Sequence, residues 1–438
     1  MRAPMQLVLL AAVEGALLVF FGRPFLLPRG EPKLQHLPGK TSDGHYQIEL
    51  ACDACHSPFR GVENAACLRC HTALAEVAND SHPERLFSDP RNADRVAELD
   101  VRRCATCHRE HAAERTTRGG VALARELCRP CHAGVADERP DHRGLDFAGC
   151  AQTGCHNYHD NRALNESFLA SHLDEPRLLA GARVLVRREP PHGPAVDDAP
   201  PTLADAAVSA AWAASQHARA GVTCAACHRR DGEWTRTPPL SRCRDCHEIE
   251  TATFGTGKHG MRPAAGFSPM VPALARRPVR ADAWDHALGC GTCHEVHRVD
   301  TGRAAVEACL GCHDDRHSRA YRSSPHFASW RAELAGGAPA GSGVSCATCH
   351  LPRVVHRDHG RERVVTVHDQ NQNLRPTTKM VRSVCMGCHG VGYSLDALAD
   401  TSLIDRNFDA EPSRHLGTVD MVRARHGSTK PRDKEGNP

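Results

Sequence analysis

The chain has 438 residues, yet only 4% of them are aromatic and the mean hydropathy is −0.46. A core of large apolar side chains would be thin in such a chain, and no basic run with interleaved aromatic residues suggests nucleic acid as a partner. The interior needs another filler, and 22 cysteines with 30 histidines indicate what it is.

The N-terminal segment has the pattern of an export signal. Arg2 precedes an apolar run from Met5 to Phe21, as in segments that direct a chain across a membrane. The run has no small-x-small cleavage site at its end, which favours an anchor that stays in place. Glu14 within the run, and the shortness of the run, favour a signal peptide that is removed. Residues 1–30 are therefore predicted to be an export signal or an N-terminal membrane anchor, with the protein periplasmic and either free or anchored to the inner membrane.

All 22 cysteines fall into pairs, and a histidine follows the second cysteine of every pair. This is the attachment signature of c-type haem, because two thiols add to one porphyrin and the adjacent histidine ligates the iron from the proximal side. A zinc site or a disulfide framework would not need a histidine after every pair. We therefore predict 11 covalent c-type haems. The sites, numbered along the chain, are site 1 (Cys52, Cys55, His56), site 2 (Cys67, Cys70, His71), site 3 (Cys104, Cys107, His108), site 4 (Cys128, Cys131, His132), site 5 (Cys150, Cys155, His156, with four residues between the cysteines), site 6 (Cys224, Cys227, His228), site 7 (Cys243, Cys246, His247), site 8 (Cys290, Cys293, His294), site 9 (Cys309, Cys312, His313), site 10 (Cys346, Cys349, His350) and site 11 (Cys385, Cys388, His389).

The spacing of the sites divides the chain into two modules. Sites stop after His156 and resume at Cys224, and the gap contains five prolines between Arg187 and Thr202, which exclude a helix there. The predicted organisation is a five-haem module at 31–175, a Pro-rich linker at 176–205, a six-haem module at 206–420 and a disordered tail at 421–438. Composition predicts a mostly α fold with much irregular coil and few or no strands, in which haem replaces the hydrophobic core. The clearest helix candidates are Ala204–Ala218 and Ala397–Asp405.

Each iron needs a second axial ligand, and the histidines outside the motifs outnumber the irons. Two histidines per iron suit electron transfer, because such an iron is closed to substrate. Some candidates lie three residues beyond a motif histidine, and others follow an aromatic residue by five positions, as in Trp212 to His217 and Tyr321 to His326. The predicted distal ligands are His45, His82, His111, His142, His159, His217, His259, His286, His297, His326, His356 and His359. We predict that His192 and His426 are surface residues.

Several elements of the second module form a family pattern: Trp212-x-x-Ser-x-His217, Tyr321-x-x-Ser-x-His326, Cys346-Ala-Thr-Cys-His-Leu-Pro, Asp358-His-Gly-Arg and Lys379-Met-Val. On these elements the chain from Trp212 onward resembles the superfamily of hydroxylamine oxidoreductase and pentahaem nitrite reductase. The resemblance implies His217, His326 and His359 as distal ligands, with His356 competing for the last role. The chain departs from the family in two ways. No motif ends in lysine, and Tyr393 is the only tyrosine after the last motif. The first module resembles class III-type small multihaem cytochromes, on Cys104-Ala-Thr-Cys-His-Arg-Glu-His111.

Two functions from different classes stay open at this point. The first is an undecahaem electron carrier that exchanges electrons with a membrane quinol-linked donor or with periplasmic cytochromes. The second is a hydroxylamine oxidoreductase-like enzyme that acts on a small nitrogen or sulfur compound at one open haem, that of His313, with His317 or His326 serving the substrate. The family departures favour the carrier, and a haem-lined filament is a third hypothesis. Each haem brings two propionates and a ferric bis-imidazole centre of about +1, so eleven haems would take the oxidised protein from +3 to a net charge of about −8, which argues against nucleic acid.

Overall fold

The fold is taken from a computed structural model, which describes residues 3–26, 36–71, 82–116, 120–123, 126–139, 142–143, 147, 158–159, 164–181, 184–186, 195–200, 205–298, 300–358, 360–374 and 379–427. These residues form short helices joined by irregular coil, with three antiparallel pairs of strands. The predicted mostly α class is confirmed. Haem attachment motifs explain the short elements, since many of the helices contain a motif and span only one turn.

The chain forms two compact units. The first unit comprises Met1–Asn165 with Ala264–Phe267, and the second comprises Glu166–Pro263 with Ser268–Pro438. The sequence predicts the division in the linker at 176–205. The segment from Glu166 belongs to the second unit because its backbone pairs with site 11, where the Leu179 N–H donates to the Cys388 carbonyl. Most of the proline-rich stretch lies outside the described residues.

The first unit surrounds sites 1 to 4 with short helices. Strands β1 (His56–Ser57) and β2 (Gly61–Val62) form a hairpin in which His56 pairs with Val62. The α-helices of this unit are α1 (Ala3–Leu26), α2 (Cys52–Cys55), α3 (Asn64–Leu68), α4 (Glu84–Ser88), α5 (Ala93–Glu98), α6 (Cys104–Cys107), α7 (Arg129–His132) and α8 (Val135–Glu138), with 3-10 helices at Tyr46–Ile48, Pro90–Asn92 and Ala113–Arg115. Within the described part of the chain, no helix combines the length and the apolar character needed to cross a membrane.

The second unit carries sites 6 to 11. Its α-helices are α9 (Glu166–Ala170), α10 (Ala206–Ala213), α11 (Gln216–Arg219), α12 (Cys224–His228), α13 (Leu240–Arg244), α14 (Glu248–Thr256), α15 (Met261–Ala264), α16 (Cys290–His294), α17 (Thr301–Ala305), α18 (Glu307–Leu310), α19 (Arg316–Ala320), α20 (Pro325–Leu334), α21 (Cys346–His350), α22 (Gln370–Leu374), α23 (Lys379–Ser383), α24 (Val391–Ala399), α25 (Thr401–Asp405) and α26 (Thr418–His426), with 3-10 helices at Pro272–Leu274, Ala281–Ala283, Tyr321–Ser323 and Cys385–Gly387. Its two antiparallel hairpins are β3 (Arg229–Arg230) with β4 (Glu233–Trp234) and β5 (Arg353–Asp358) with β6 (Arg361–Thr366).

Helix α26 begins inside the segment that precedes the predicted disordered tail and continues to His426. It is ordered because Val419 and Val422 are buried and because the Arg423 guanidinium donates to the Leu173 carbonyl at 2.9 Å. Arg425 and His426 both pair with Glu166 of α9. The prediction of disorder from residue 421 is therefore corrected as far as Gly427, and the residues beyond it lie outside the described part.

His415 ties α26 to α24 through two carboxylates. Its Nδ1 lies 2.9 Å from Asp396 Oδ2 and its Nε2 lies 2.6 Å from Asp420 Oδ2. Hydrogen bonds to Asp420 and then Asp396 raise the pKa of His415 from 6.5 to about 9. The protonated imidazole therefore stabilises the fold fully below about pH 6.5, and this contribution is lost as the pH rises through about 9.

The contacts of His415 with Asp396 and Asp420 predict that the stability of α26 depends on pH. We expect hydrogen-exchange protection of the α26 amides to decrease between pH 6.5 and 9 in the native chain, after correction for intrinsic exchange rates. In His415→Gln the protection should be lower at pH 6.5 and independent of pH in this window. The effect is modest because the His415 side chain is 61% exposed. Identical pH profiles of the two proteins would contradict this role of His415.

Candidate metal centres

The attachment motifs share one local geometry. In nearly every described motif, the N–H of the motif histidine donates to the carbonyl of the first cysteine, as in His108 to Cys104 at 3.0 Å and His247 to Cys243 at 2.8 Å. This closes one helical turn, which brings both thiols and the imidazole to one side of the chain. Polar caps fix some of these turns: Ser345 accepts from the Thr348 N–H and starts α21. The turn therefore presents two thiols and one imidazole together.

Each described motif histidine has a second imidazole opposite it. A metal–nitrogen bond is about 2 Å long, so two imidazoles on opposite sides of one iron have ring centres about 6 Å apart. The observed centre-to-centre distances range from 5.8 to 6.3 Å. We call the second member of each pair the facing histidine. The pairs, with the motif histidine first, are His56–His111, His71–His45, His108–His159, His132–His82, His228–His297, His247–His217, His294–His368, His313–His259, His350–His317 and His389–His326. The spacing fits one haem iron in each pair.

Backbone carbonyls orient many of these imidazoles. When Nδ1–H donates to a carbonyl, the tautomer is fixed and Nε2 keeps its lone pair for a metal. This arrangement recurs on both sides of the sites. The Nδ1 partners are Gly120 O for His108 (3.0 Å), Gly39 O for His111 (3.0 Å), Tyr158 O for His82 (2.9 Å), Thr235 O for His228 (2.7 Å), Ile404 O for His317 (2.5 Å), Thr366 O for His368 (2.9 Å) and Arg177 O for His389 (2.9 Å).

Burial keeps several of these imidazoles neutral. Burial, followed by repulsion from neighbouring histidines, lowers the pKa of His259, His326 and His350 from 6.5 to about 4. A neutral imidazole is the form that binds a metal, because a protonated ring has no free lone pair. These three histidines are therefore ready to ligate at neutral pH.

At site 2 the Nδ1 of the facing histidine is bound by a carboxylate and not by a backbone carbonyl, which the sequence did not reveal. His45 Nδ1 lies 2.7 Å from Glu110 Oε1, and Ser42 donates to the same carboxylate through its N–H at 2.7 Å and its hydroxyl at 2.8 Å. Burial would raise the pKa of Glu110, but the hydrogen bonds from His45 and Ser42 lower it to about 2. Glu110 therefore stays charged behind His45. Its position in Cys-Ala-Thr-Cys-His-Arg-Glu-His111 is a signal that could have pointed to it.

A helix cap explains how the recurring sequence pattern positions a facing histidine. In Trp212-x-x-Ser-x-His217 the Trp212 side chain is buried, and Ser215 accepts from the Ala218 N–H to start α11. The second pattern repeats this with Tyr321 and Ser324, which starts α20. Such a cap contributes about 1 kcal/mol, and it places the histidine in the first helical turn. The aromatic residue fixes where that turn begins.

Two facing histidines, His317 and His368, were missed. His317 follows Asp315, whose carboxylate accepts from the Ser318 N–H and starts α19. The cap therefore precedes His317 by two residues, the spacing that Ser215 has to His217, and this signal could have identified it. His368 lies just after β6 and has no comparable signal.

Among the predicted distal ligands, His45, His82, His111, His159, His217, His259, His297 and His326 each face a motif histidine. Two others show no such pairing: His286 is exposed and His356 lies on β5 opposite Arg363, and neither faces a motif histidine among the described residues, so both stay predictions. His317 and His368 occupy the positions opposite His350 and His294. His359 and site 5 lie outside the described residues, so His142, which faces none of the described motif histidines, and His359 stay predictions.

The arrangement around site 9 bears on the enzyme hypothesis. That hypothesis assigned an open iron to His313, with His317 or His326 serving a substrate. The structure instead has His259 opposite His313 at 6.1 Å, and His317 and His326 opposite the motif histidines of sites 10 and 11. Both candidate substrate residues are therefore used at other sites.

Within each unit, several consecutive described sites are neighbours in space. The closest thiols interact between sites 2 and 3 (Cys67 with Cys104), sites 7 and 8 (Cys243 with Cys290) and sites 9 and 10 (Cys309 with Cys346). Electrostatic interactions link the thiols of sites 1 and 2, 6 and 7, 8 and 9, and 10 and 11. In the second unit the six sites therefore follow one another in the order of the sequence.

In the part of the chain that the structure describes, no group of three or more histidine, cysteine, aspartate or glutamate side chains is arranged to hold a bare metal ion. The histidines described above come in pairs.

Comparison with known proteins adds one finding. Residues 44–133 match the family model described as cytochrome c3. The match contains sites 1 to 4 and lies within the module that resembles class III-type cytochromes. No curated protein and no solved structure matches the chain.

Proposed function

We propose that this chain is a multihaem electron-transfer cytochrome, which carries eleven covalently attached c-type haems and conducts electrons along them in the periplasm. The observation that carries the proposal is the set of imidazole pairs at 5.8 to 6.3 Å, one for each described motif histidine. When bound, each haem supplies an iron that takes up and releases one electron. The two imidazoles of a pair would hold that iron and keep other ligands from it.

The order of the sites supports a path along the second unit. Neighbouring thiols connect site 6 to site 7, and so on without a gap to site 11. In the first unit the same kind of contact connects sites 1, 2 and 3. The protein's own contribution is to fix each pair of imidazoles and to bring successive attachment turns together, so that electrons pass between adjacent sites in chain order.

The compartment and partners follow from the attachment chemistry. Haem is attached to thiols after export, so α1 would serve as the export segment. Three of its apolar side chains are largely exposed, with Val8 at 70%, Leu10 at 62% and Val19 at 68%, which suits an apolar environment. We propose redox partners of protein nature, either a membrane quinol-linked donor or periplasmic cytochromes. N-terminal sequencing of the mature protein separates an anchor, which retains α1, from a signal peptide, which loses it.

Spectroscopy of the purified protein tests the proposed function. We expect an iron content of about eleven per chain and a low-spin ferric EPR spectrum without a high-spin component. Carbon monoxide should leave the optical spectrum of the reduced protein unchanged, because both axial positions of each iron are occupied. A high-spin signal of about one haem in eleven that binds carbon monoxide would contradict the carrier and favour a catalytic site.

A further inference from the structure

One aromatic ring in the second unit contacts the facing histidines of two sites. The ring centre of Phe408 lies 6.4 Å from that of His317 and 5.7 Å from that of His326. His317 faces site 10 and His326 faces site 11. Both distances are within the range of aromatic contacts, so Phe408 limits the rotation of both imidazoles.

A strained turn holds Phe408 in this position. Asn407 and Phe408 have φ angles of 56° and 59°, the left-handed region that residues other than glycine rarely adopt. Asn407 is buried, and its Nδ2 donates to the His317 carbonyl at 3.2 Å. Two consecutive left-handed residues persist only where their surroundings hold them, and such strain concentrates at functional positions. The turn therefore fixes the backbone of His317 and the ring of Phe408 together.

The first unit repeats the arrangement with a different residue. The Tyr158 ring stacks on His82 at 4.3 Å and meets the His159 ring edge-on at 5.4 Å. Its carbonyl also accepts from His82 Nδ1 at 2.9 Å. His82 faces site 4 and His159 faces site 3. A single aromatic residue thus again lies against the facing histidines of two consecutive sites.

Resting on the proposed function, we propose that Phe408 and Tyr158 are positioning residues, each of which sets the orientation of the axial imidazoles at two consecutive irons. Their rings contact the facing histidines of those sites. Their action is through the second ligand, whose orientation tunes the iron. One side chain thereby sets the ring orientation at both sites 3 and 4, and another does so at both sites 10 and 11.

The low-spin EPR spectrum of the ferric protein tests this, because it depends on the relative orientation of the two axial rings. Phe408→Leu and Tyr158→Leu should each shift the signals of about two haems in eleven and leave the rest unchanged. Asn407→Gly keeps the left-handed backbone without strain and removes only the amide, so it should shift the signal of about one haem. Tyr158→Phe keeps the ring and should leave the spectrum unchanged.

Phe59→Leu is the matched control. Phe59 also has a left-handed backbone, with φ 63°, but it is 84% exposed and contacts no imidazole among the residues that the structure describes. The proposal is overturned if Phe408→Leu and Tyr158→Leu leave the spectrum as Phe59→Leu does, or if each shifts a single haem. A native spectrum without low-spin bis-imidazole signals would instead refute the proposed function itself, so the two failures are distinct.

Discussion

Replacement of His317 by alanine is expected to open one iron. His317 faces His350 at 6.1 Å, and its Nδ1 donates to the Ile404 carbonyl, which leaves the lone pair on Nε2, 3.3 Å from Asn407 Nδ2. Without this imidazole the iron of site 10 would have one protein ligand and an open position. We expect a high-spin ferric signal of about one haem in eleven and the binding of about one carbon monoxide per reduced chain. Both quantities are measurable in a single preparation by EPR and optical titration.

His356→Ala is the control for this prediction. The sequence resemblance made His356 a ligand candidate, whereas it lies on β5 and faces no motif histidine in the described part of the chain. Its removal should leave the chain fully low-spin and unreactive to carbon monoxide. The reverse result, with an open iron in His356→Ala and none in His317→Ala, would show that the imidazole pairs are not the axial ligands.

Glu110→Gln is expected to raise the reduction potential of one haem by about 60 to 120 mV, which corresponds to a 10- to 100-fold change in the relative stability of its two oxidation states. The Glu110 carboxylate accepts from His45 Nδ1 at 2.7 Å, which makes the imidazole a stronger donor and favours ferric iron. The amide keeps the shape but removes the negative charge, so the ferric state of site 2 is favoured less. A redox titration followed optically should show about one haem equivalent displaced to higher potential.

Glu114→Gln provides the same change of charge four residues away. Glu114 is exposed, and no contact with a facing histidine is described for it. Its titration curve should overlay that of the native protein. If Glu110→Gln and Glu114→Gln give the same curve, then the carboxylate behind His45 does not set the potential of site 2.

The haem attachment motifs could be predicted from the sequence more completely than the pairing of axial histidines. A motif such as Cys104 to His108 is local, because one helical turn brings its thiols and imidazole together. The fold class follows for the same reason, since short motif helices dominate the chain. A facing histidine comes from elsewhere: His45 meets site 2, and His368 meets site 8, across long stretches of chain. Spacing cannot show which distant residue arrives there.

The cap pattern marks the boundary between what could and could not be predicted. Ser215 and Ser324 predict the positions of His217 and His326, because each cap is local and the aromatic residue before it is buried. Asp315 caps the helix that contains His317 in the same way. However, an aspartate within a charged run more often indicates an exposed turn. The left-handed backbone of Asn407 and Phe408 depends on packing against histidines some 90 residues earlier, so no local pattern predicts it.

The bond from Arg423 to Leu173 spans 250 residues of sequence, and the Nδ1 bond of His389 to the Arg177 carbonyl spans 212. Loops of that length close late, because the chain loses conformational entropy before the contact stabilises the closed loop. Before these bonds form, they do not enclose the segment that carries sites 6 to 10. Under the proposed function, haem attachment at those sites would therefore act on accessible thiols before α26 packs against α9.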